Sequence, residues 1–370
     1  MLGQKGKELA ERDGGQGGVI SMDAAGPAQG IAWQAEHAAR NGSPLTGRIL
    51  RACLPLLSGG TGVGRLMAGW TGNVLEDAMP LRLAGGLHWL HLAGIEPRLA
   101  PIYTGALTDE AAIATIIAEV VHDHAAALLP WFDGPPQTNE AGRSGALMGG
   151  LLWLSQRLGA RFELLEIGSS AGANTMVERY AYDLGGTKVG PVGSPVLIRP
   201  EWRGPPPPAA PVEVVSIQGC DRAPIDLADH AEALRLKSYI WPDMTERLHR
   251  LDAVEQLAHA RPPRIARADA ADWVEARLAE AQVAGVTRVL YHSIVWQYLP
   301  PEGRGRIEAA MAAAGARATP ERPLAWLALE TNRQTFRHEL TARSWPGGET
   351  PVLLGEAHAH GAWVEWRGVP

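Results

Sequence analysis

The sequence predicts an α/β chain: a mostly parallel sheet covered by helices, an antiparallel hairpin at its C-terminal end, and an all-helical cap in front. Three observations predict it. Apolar positions recur with helical spacing through roughly the first 150 residues. From Phe162 onward, short apolar runs alternate with helical segments, the pattern of a parallel sheet. The chain has 370 residues and is 46% hydrophobic, enough to bury the core such a sheet needs.

The elements follow in order. Met1 to Pro27 mixes charged residues with many glycines and has no apolar core of signal-peptide form. Residues 1–27 are therefore expected to be a flexible tail, with Met22 an alternative start. Residues 28–150 are expected to form the helical cap. Ser43-Pro44 is an N-cap followed by a first-turn proline, and Leu45, Ile49, Ala52 and Cys53 then share a face. Thr108 is placed to cap the next helix, with Asp109 and Glu110 in its first turn and a stripe of Ile113, Ile116, Ile117, Val120 and Val121. A third helix runs from Arg143 to Leu158 and stops at Gly159. No strand is expected before residue 160.

Residues 151–370 are expected to form the sheet domain. Strands are expected at Phe162–Ile167, Val212–Ile217, Arg264–Ala266, Val286–Tyr291 and Leu324–Leu329. Val352–Leu354 and Trp363–Trp366 read as a closing hairpin. Helices are expected at Ala171–Tyr182, Ile225–Leu236, Asp272–Ala281 and Arg304–Ala314. The stretch 185–211, with four consecutive prolines from Pro205 to Pro208, reads as an inserted loop or hairpin.

Charge narrows the function. Lys and Arg number 34 against 40 Asp and Glu, a formal net charge of -6, with no basic run, so phosphate-backbone binding is not expected. Cys53 and Cys220 are too few for a disulfide scaffold. No uncharged apolar stretch is long enough to span a bilayer. A cytoplasmic protein acting on a small molecule is expected, with no nucleic-acid or membrane partner and with its oligomeric state open.

The most informative segment is Leu164-Leu165-Glu166-Ile167-Gly168-Ser169-Ser170-Ala171-Gly172-Ala173-Asn174. A strand ends, a tight turn follows, and glycines let the backbone bend and a ligand approach. In a doubly wound sheet, this is the edge where ligands bind. The next strand ends in Gly219-Cys220-Asp221 and the third in Ala268-Asp269, so three acids sit at three successive strand ends. Acid-x-Gly-x-x-x-Gly with these acids resembles the class I S-adenosylmethionine-dependent methyltransferases. That resemblance implies a Rossmann-like sheet. It places Glu166, Gly168, Ser170, Gly172 and Asn174 at the cofactor, Asp221 at its ribose and Asp269 beside its adenine. The spacing is longer than in that family: 55 residues separate Glu166 from Asp221, and the Asp/Asn-Pro-Pro signature is absent.

Two other readings of the segment stand beside it. Gly168-Ser169-Ser170-Ala171-Gly172 also satisfies G-x-S-x-G, which makes Ser170 a candidate serine-hydrolase nucleophile, with His358 or His360 as the late histidine. A helical region in place of preceding strands, and no oxyanion motif upstream, count against it. The third reading is a packing turn with no ligand, or a binding protein without turnover.

Gln137-Thr138-Asn139-Glu140 with Arg143 offers more polar side chains than capping needs. Gln137 and Asn139 are expected to close over the cofactor and Arg143 to pair with its carboxylate. After the fourth strand come His292-Ser293-Ile294-Val295-Trp296-Gln297-Tyr298. His292 and Tyr298 are the candidate catalytic residues, with His292 as base, and Ser293, Trp296 and Gln297 the candidate substrate contacts. Each has a plain structural alternative, a buried histidine and core aromatics. His122/His124 and His358/His360 lack a third ligand in suitable spacing, so no metal is expected. Asp226 and Asp243 read as functional residues or as caps. Together, these motifs, with Trp241-Pro242-Asp243, resemble one bacterial domain-of-unknown-function family over nearly the whole chain.

Overall fold

The structure, a computed structural model, describes residues 26–368. The expected tail lies almost wholly outside the described residues, as does Met22. The chain divides into two compact units. One is the residues up to Thr138 together with His230–His249; the other is Asn139–Asp229 together with the residues from Arg250 onward. The division therefore falls at Thr138/Asn139 rather than at 150. The helix Ser144–Leu158 is buried from Ser144 to Ser155 and belongs with the sheet.

The first unit is helical, as its spacing predicts. Ile31, Ile49, Leu83, Leu87, Ile113, Ile117 and Val120 meet in its core. Two caps differ from expectation. Asp109, not Thr108, caps Glu110–Asp123, accepting from the Ala112 N–H at 2.7 Å. Ser43 precedes Pro44–Ala52, but its buried hydroxyl has no partner. Asp243 does its work: Oδ1 accepts from Leu45 N–H at 2.9 Å, and Oδ2 accepts from Thr46 N–H at 2.9 Å and from the Thr46 hydroxyl at 2.6 Å. Asp243 is thus a helix cap, and a carboxylate there also meets the positive end of the helix dipole.

Among the described residues, the second unit holds twelve strands: β1 (Arg161–Ile167), β2 (Ala181–Leu184), β3 (Thr187–Val189), β4 (Leu197–Ile198), β5 (Glu201–Arg203), β6 (Glu213–Asp221), β7 (Ile265–Arg267), β8 (Thr287–Ser293), β9 (Leu324–Thr331), β10 (His338–Trp345), β11 (Gly348–Ala357) and β12 (Trp363–Trp366). Nine form one mixed sheet in the order β5-β12-β11-β10-β9-β8-β1-β6-β7; β3-β2-β4 form a small second sheet. Strands β7, β6, β1, β8 and β9 are mutually parallel. Numbered among themselves along the chain, they lie in the order 3-2-1-4-5. Strands β9 to β12 then form an antiparallel meander, with β5 parallel on its outer edge. All five parallel strands were expected, as were the helices Ala270–Ala279 and Pro301–Gly315.

Two expectations fail locally. No α-helix covers Ala171–Tyr182. A 3-10 helix, Asn174–Arg179, kinks at Met176 and gives way to β2. The hydroxyls of Tyr180 and Tyr182 donate to the carbonyls of Ala173 and Val177, groups that an α-helix would use for its own ladder. The helix expected from Ile225 begins only at His230, because the Asp226 carboxylate holds a local turn through Ala228 N–H. The insertion 185–211, expected as a loop or hairpin, closes an antiparallel hairpin with β2 through β3 and also supplies β4 and β5.

Candidate functional site

Parallel strands send their carboxyl ends to one edge, and the strand order reverses between β1 and β8. Ligands of open α/β sheets bind at such a switch point. The register sets Glu166 of β1 opposite Gly219 of β6 and Tyr291 of β8. Glu166 is 2% exposed. Its Oε2 accepts from the Thr175 hydroxyl and lies 3.4 Å from the Tyr291 hydroxyl, which itself donates to the Asn174 carbonyl at 2.9 Å. Burial pushes its carboxyl up to about 7, against the hydrogen bonds from Thr175, Ser169 and Tyr291.

The glycine turn is clamped by two side chains. Asp221 Oδ2 accepts from Ser170 N–H at 2.9 Å, and its Oδ1 from Ala223 N–H at 2.8 Å. Asn139 Oδ1 accepts from Ala173 N–H at 2.6 Å. Gly168, at φ 67°, is filled from above: a Cβ there would lie 2.2 Å from Val295 Cγ2. At Gly172, a Cβ would lie 2.7 Å from Pro263 Cγ. Both glycines thus make room for the chain's own side chains, where the sequence had suggested room for a ligand. Ser170 adopts φ 50°, a left-handed conformation uncommon for serine. Its hydroxyl is buried with no hydrogen-bond partner. The same holds for both ends of the Asn174 amide, on a residue only 1% exposed. Buried polar atoms left unpaired in this way are uncommon.

The residues after β8 take other roles than expected. His292 is 1% exposed and uses both ring nitrogens. Nε2 accepts from the Trp326 indole N–H at 2.9 Å, so the proton lies on Nδ1, which donates to Glu330 Oε1 at 2.6 Å. This geometry leaves His292 no lone pair with which to act as a base. Glu330 also accepts from the N–H groups of Val295 and Trp296, at 3.0 and 3.2 Å. Trp296 stacks on the His292 ring with centroids 5.2 Å apart. His292, Glu330, Trp296 and Trp326 therefore form one clasp that closes the turn after β8. Gln297 lies in the short 3-10 turn that follows. Tyr298 is 75% exposed, so nothing there prepares it for catalysis. Ser293 presents its carbonyl to Arg143 Nη1 at 3.4 Å, and Arg143 Nε donates to the Ala359 carbonyl at 2.8 Å. Arg143 thus joins two loops of this edge through their backbone rather than standing ready for a carboxylate.

Two more expected contacts are placed elsewhere. Asp269 caps Ala270–Ala279, accepting from Ala271 N–H at 2.9 Å, as the plain structural reading has it. Gln137 falls in the first unit, with a buried, unpaired Oε1. His124 pairs with Glu96 Oε2 at 3.0 Å, and among the described residues no group of three or more His, Cys, Asp or Glu could hold a metal ion. Glu330 was missed in the sequence although its signal was present. Ala328-Leu329-Glu330 has the same form, an apolar strand ending in an acid, as Leu164-Leu165-Glu166.

A family model described as an uncharacterized protein conserved in bacteria (DUF2332) matches residues 28–366. The chain belongs to that family. The match runs from the first described helix to the end of β12 and so takes in both units. No curated protein and no solved structure matches the chain. Among the described residues, no single helix is long and apolar enough to cross a membrane.

Proposed function

We propose that the carboxyl edge of β1, β6 and β8 is the cofactor site of a Rossmann-like, S-adenosylmethionine-dependent methyltransferase acting on a small molecule. The observation that carries this reading is the strand order 3-2-1-4-5 with unpaired polar groups, the Asn174 amide and the Ser170 hydroxyl, at its switch point. An amide with a free donor and a free acceptor suits a purine edge or an amino-acid head group. Each Asp221 oxygen has one backbone partner, which leaves it capacity to accept from ribose hydroxyls. Asp269, committed to a helix end, has no part in this reading. Neither does a base at His292.

The cofactor, when bound, supplies an activated methyl group. The chain's own contribution is then alignment and exclusion of water. Asp221 and Asn139 hold the turn that carries Ser170 and Asn174. The clasp around His292 fixes the turn after β8. Burial pushes the Glu166 carboxyl up to about 7, so its charge changes near neutral pH beneath this edge. Native mass spectrometry of freshly purified protein tests the reading: a co-purified mass of S-adenosylmethionine or its demethylated product is expected. Protein free of any such mass that also fails to take up added S-adenosylmethionine speaks against it.

One observation favours a second reading. The left-handed Ser170 within Gly-Ser-Ser-Ala-Gly has the strained backbone of a nucleophile elbow. Its hydroxyl meets no histidine, so this reading has less support. Labelling by a fluorophosphonate probe that disappears in Ser170→Ala would select it.

A further inference from the structure

A cavity of about 270 Å³ lies along the outer edge of β6, with Thr175, the hydroxyl partner of Glu166, in its wall. Val214, Val215, Ser216 and Ile217 line it on one side, the 3-10 turn with Glu178 and Arg179 on another, and Arg261 to Arg264 on a third. Strand β7 pairs with β6 only from Gly219 to Asp221. Among the described residues, the first part of β6 therefore has a strand neighbour on the β1 side alone.

Charge in this cavity is unbalanced. Three guanidinium groups, from Arg179, Arg261 and Arg264, meet one carboxylate, Glu178. Arg179 and Arg261 both pair with Glu178 Oε1, at 3.2 and 2.8 Å. The Arg179 guanidinium is also fixed on the carbonyls of Leu257 and Arg261. Arg264 is exposed, and among the described residues its guanidinium has no hydrogen bond or ion pair. The second oxygen of Glu178, Oε2, is buried and accepts no hydrogen bond. The cavity therefore offers two surplus positive charges beside one unmet acceptor.

We propose that this cavity binds a small hydroxylated phosphomonoester, its phosphate on Arg264 and Arg261 and a hydroxyl donating to Glu178 Oε2. A phosphomonoester carries about -1.5 to -2 charges near neutral pH, which matches the surplus. Guanidinium forks suit phosphate oxygens better than any other side chain does. A compact ligand fits better than an added peptide strand. The register of β6 on β1 slips by one residue at Val215, and Pro262 and Pro263 bring no N–H to a ladder. The inference does not rest on methyl transfer, because the cavity's charged groups take no part in that reading.

Calorimetry on the full chain at low ionic strength tests it, with glycerol 3-phosphate and inorganic phosphate as probes. Saturable one-site binding is expected, tighter for glycerol 3-phosphate. Arg264→Ala should weaken both probes by about tenfold or more, the loss of a charge-assisted contact. Glu178→Gln should bring the two affinities together, since it removes the acceptor that reads the hydroxyl. Arg264 is exposed, so an unchanged melting temperature in Arg264→Ala shows that the fold is intact and lets that variant decide alone. No saturable heat with either probe, or binding unchanged in folded Arg264→Ala, overturns the proposal.

Discussion

Glu166 shows most directly how burial sets chemistry at one residue. Its carboxyl sits at about 7, where an ordinary one titrates at 4.5, because it is buried among hydroxyls with no cation beside it. The folded chain therefore holds a proton that the unfolded chain has released between these two values, and stability falls as pH rises through that window. The loss is on the order of 3 kcal/mol, complete above pH 7. Glu166→Gln keeps a hydrogen-bonding side chain without the charge. Urea unfolding should find the variant gaining on the parent as pH rises from 4.5 to 7, and level beyond. A constant difference across that range would mean that Glu166 is ionised throughout. The acid itself was legible in the sequence as the end of an apolar run. Its environment was not, because Thr175 and Tyr291 reach it from a turn and from a neighbouring strand.

Among the elements, the parallel strands and their helices were readable because the strands carry short apolar runs, such as Leu164-Leu165, Val214-Val215 and Val289-Leu290, and the helices repeat an apolar face. Strand β10 escaped. Its inward residues are Leu340, Ala342 and Ser344, a small and partly polar set, and Trp345 is buried on the other face, so it alternates weakly. The helix expected over Ala171–Tyr182 failed because two tyrosine hydroxyls take carbonyls it needed. His292 was misread for a related reason. Its partners, Trp326 and Glu330, lie on β9, and nothing local to His292 announces them. The clasp these residues form predicts a stability effect. Glu330→Ala leaves Nδ1–H of His292 and two backbone N–H groups without acceptors. A loss of ~3 kcal/mol in urea unfolding is expected, from the cost of unsatisfied donors. A loss below about 0.5 kcal/mol, the scale of an ordinary surface change, would show that the clasp does not hold the turn.

Across the whole molecule, the acid limb of stability is set by carboxylates held below their usual range. Hydrogen bonds from Arg98 lead in bringing Glu96 down to about 2, with His124 adding to them. Its stabilisation is therefore complete above 4.5 and is lost as pH falls toward 2. Burial acts to raise Glu356, but Arg337 and Arg367 outweigh it and lower the group. Both groups should release stability in acid, and Glu96→Gln should flatten the fall in melting temperature below pH 4.5. A slope identical to that of the parent would contradict the assignment. The broad plan, helices first and then a mostly parallel sheet, was visible in the sequence. The division of the chain was not, since His230–His249 joins the first unit, and Asp243 caps a helix 198 residues earlier.

The unpaired Asn174 amide stands at the switch point between β1 and β8. Because that amide bonds nothing in the protein, Asn174→Leu removes the proposed ligand contact without removing a protein hydrogen bond. The most direct measurement is a calorimetric titration of the parent and this variant with S-adenosylhomocysteine. One-site binding to the parent, lost or weakened at least tenfold in a variant that melts no lower, is the result expected. No heat with the parent, or equal affinity in both, would contradict it.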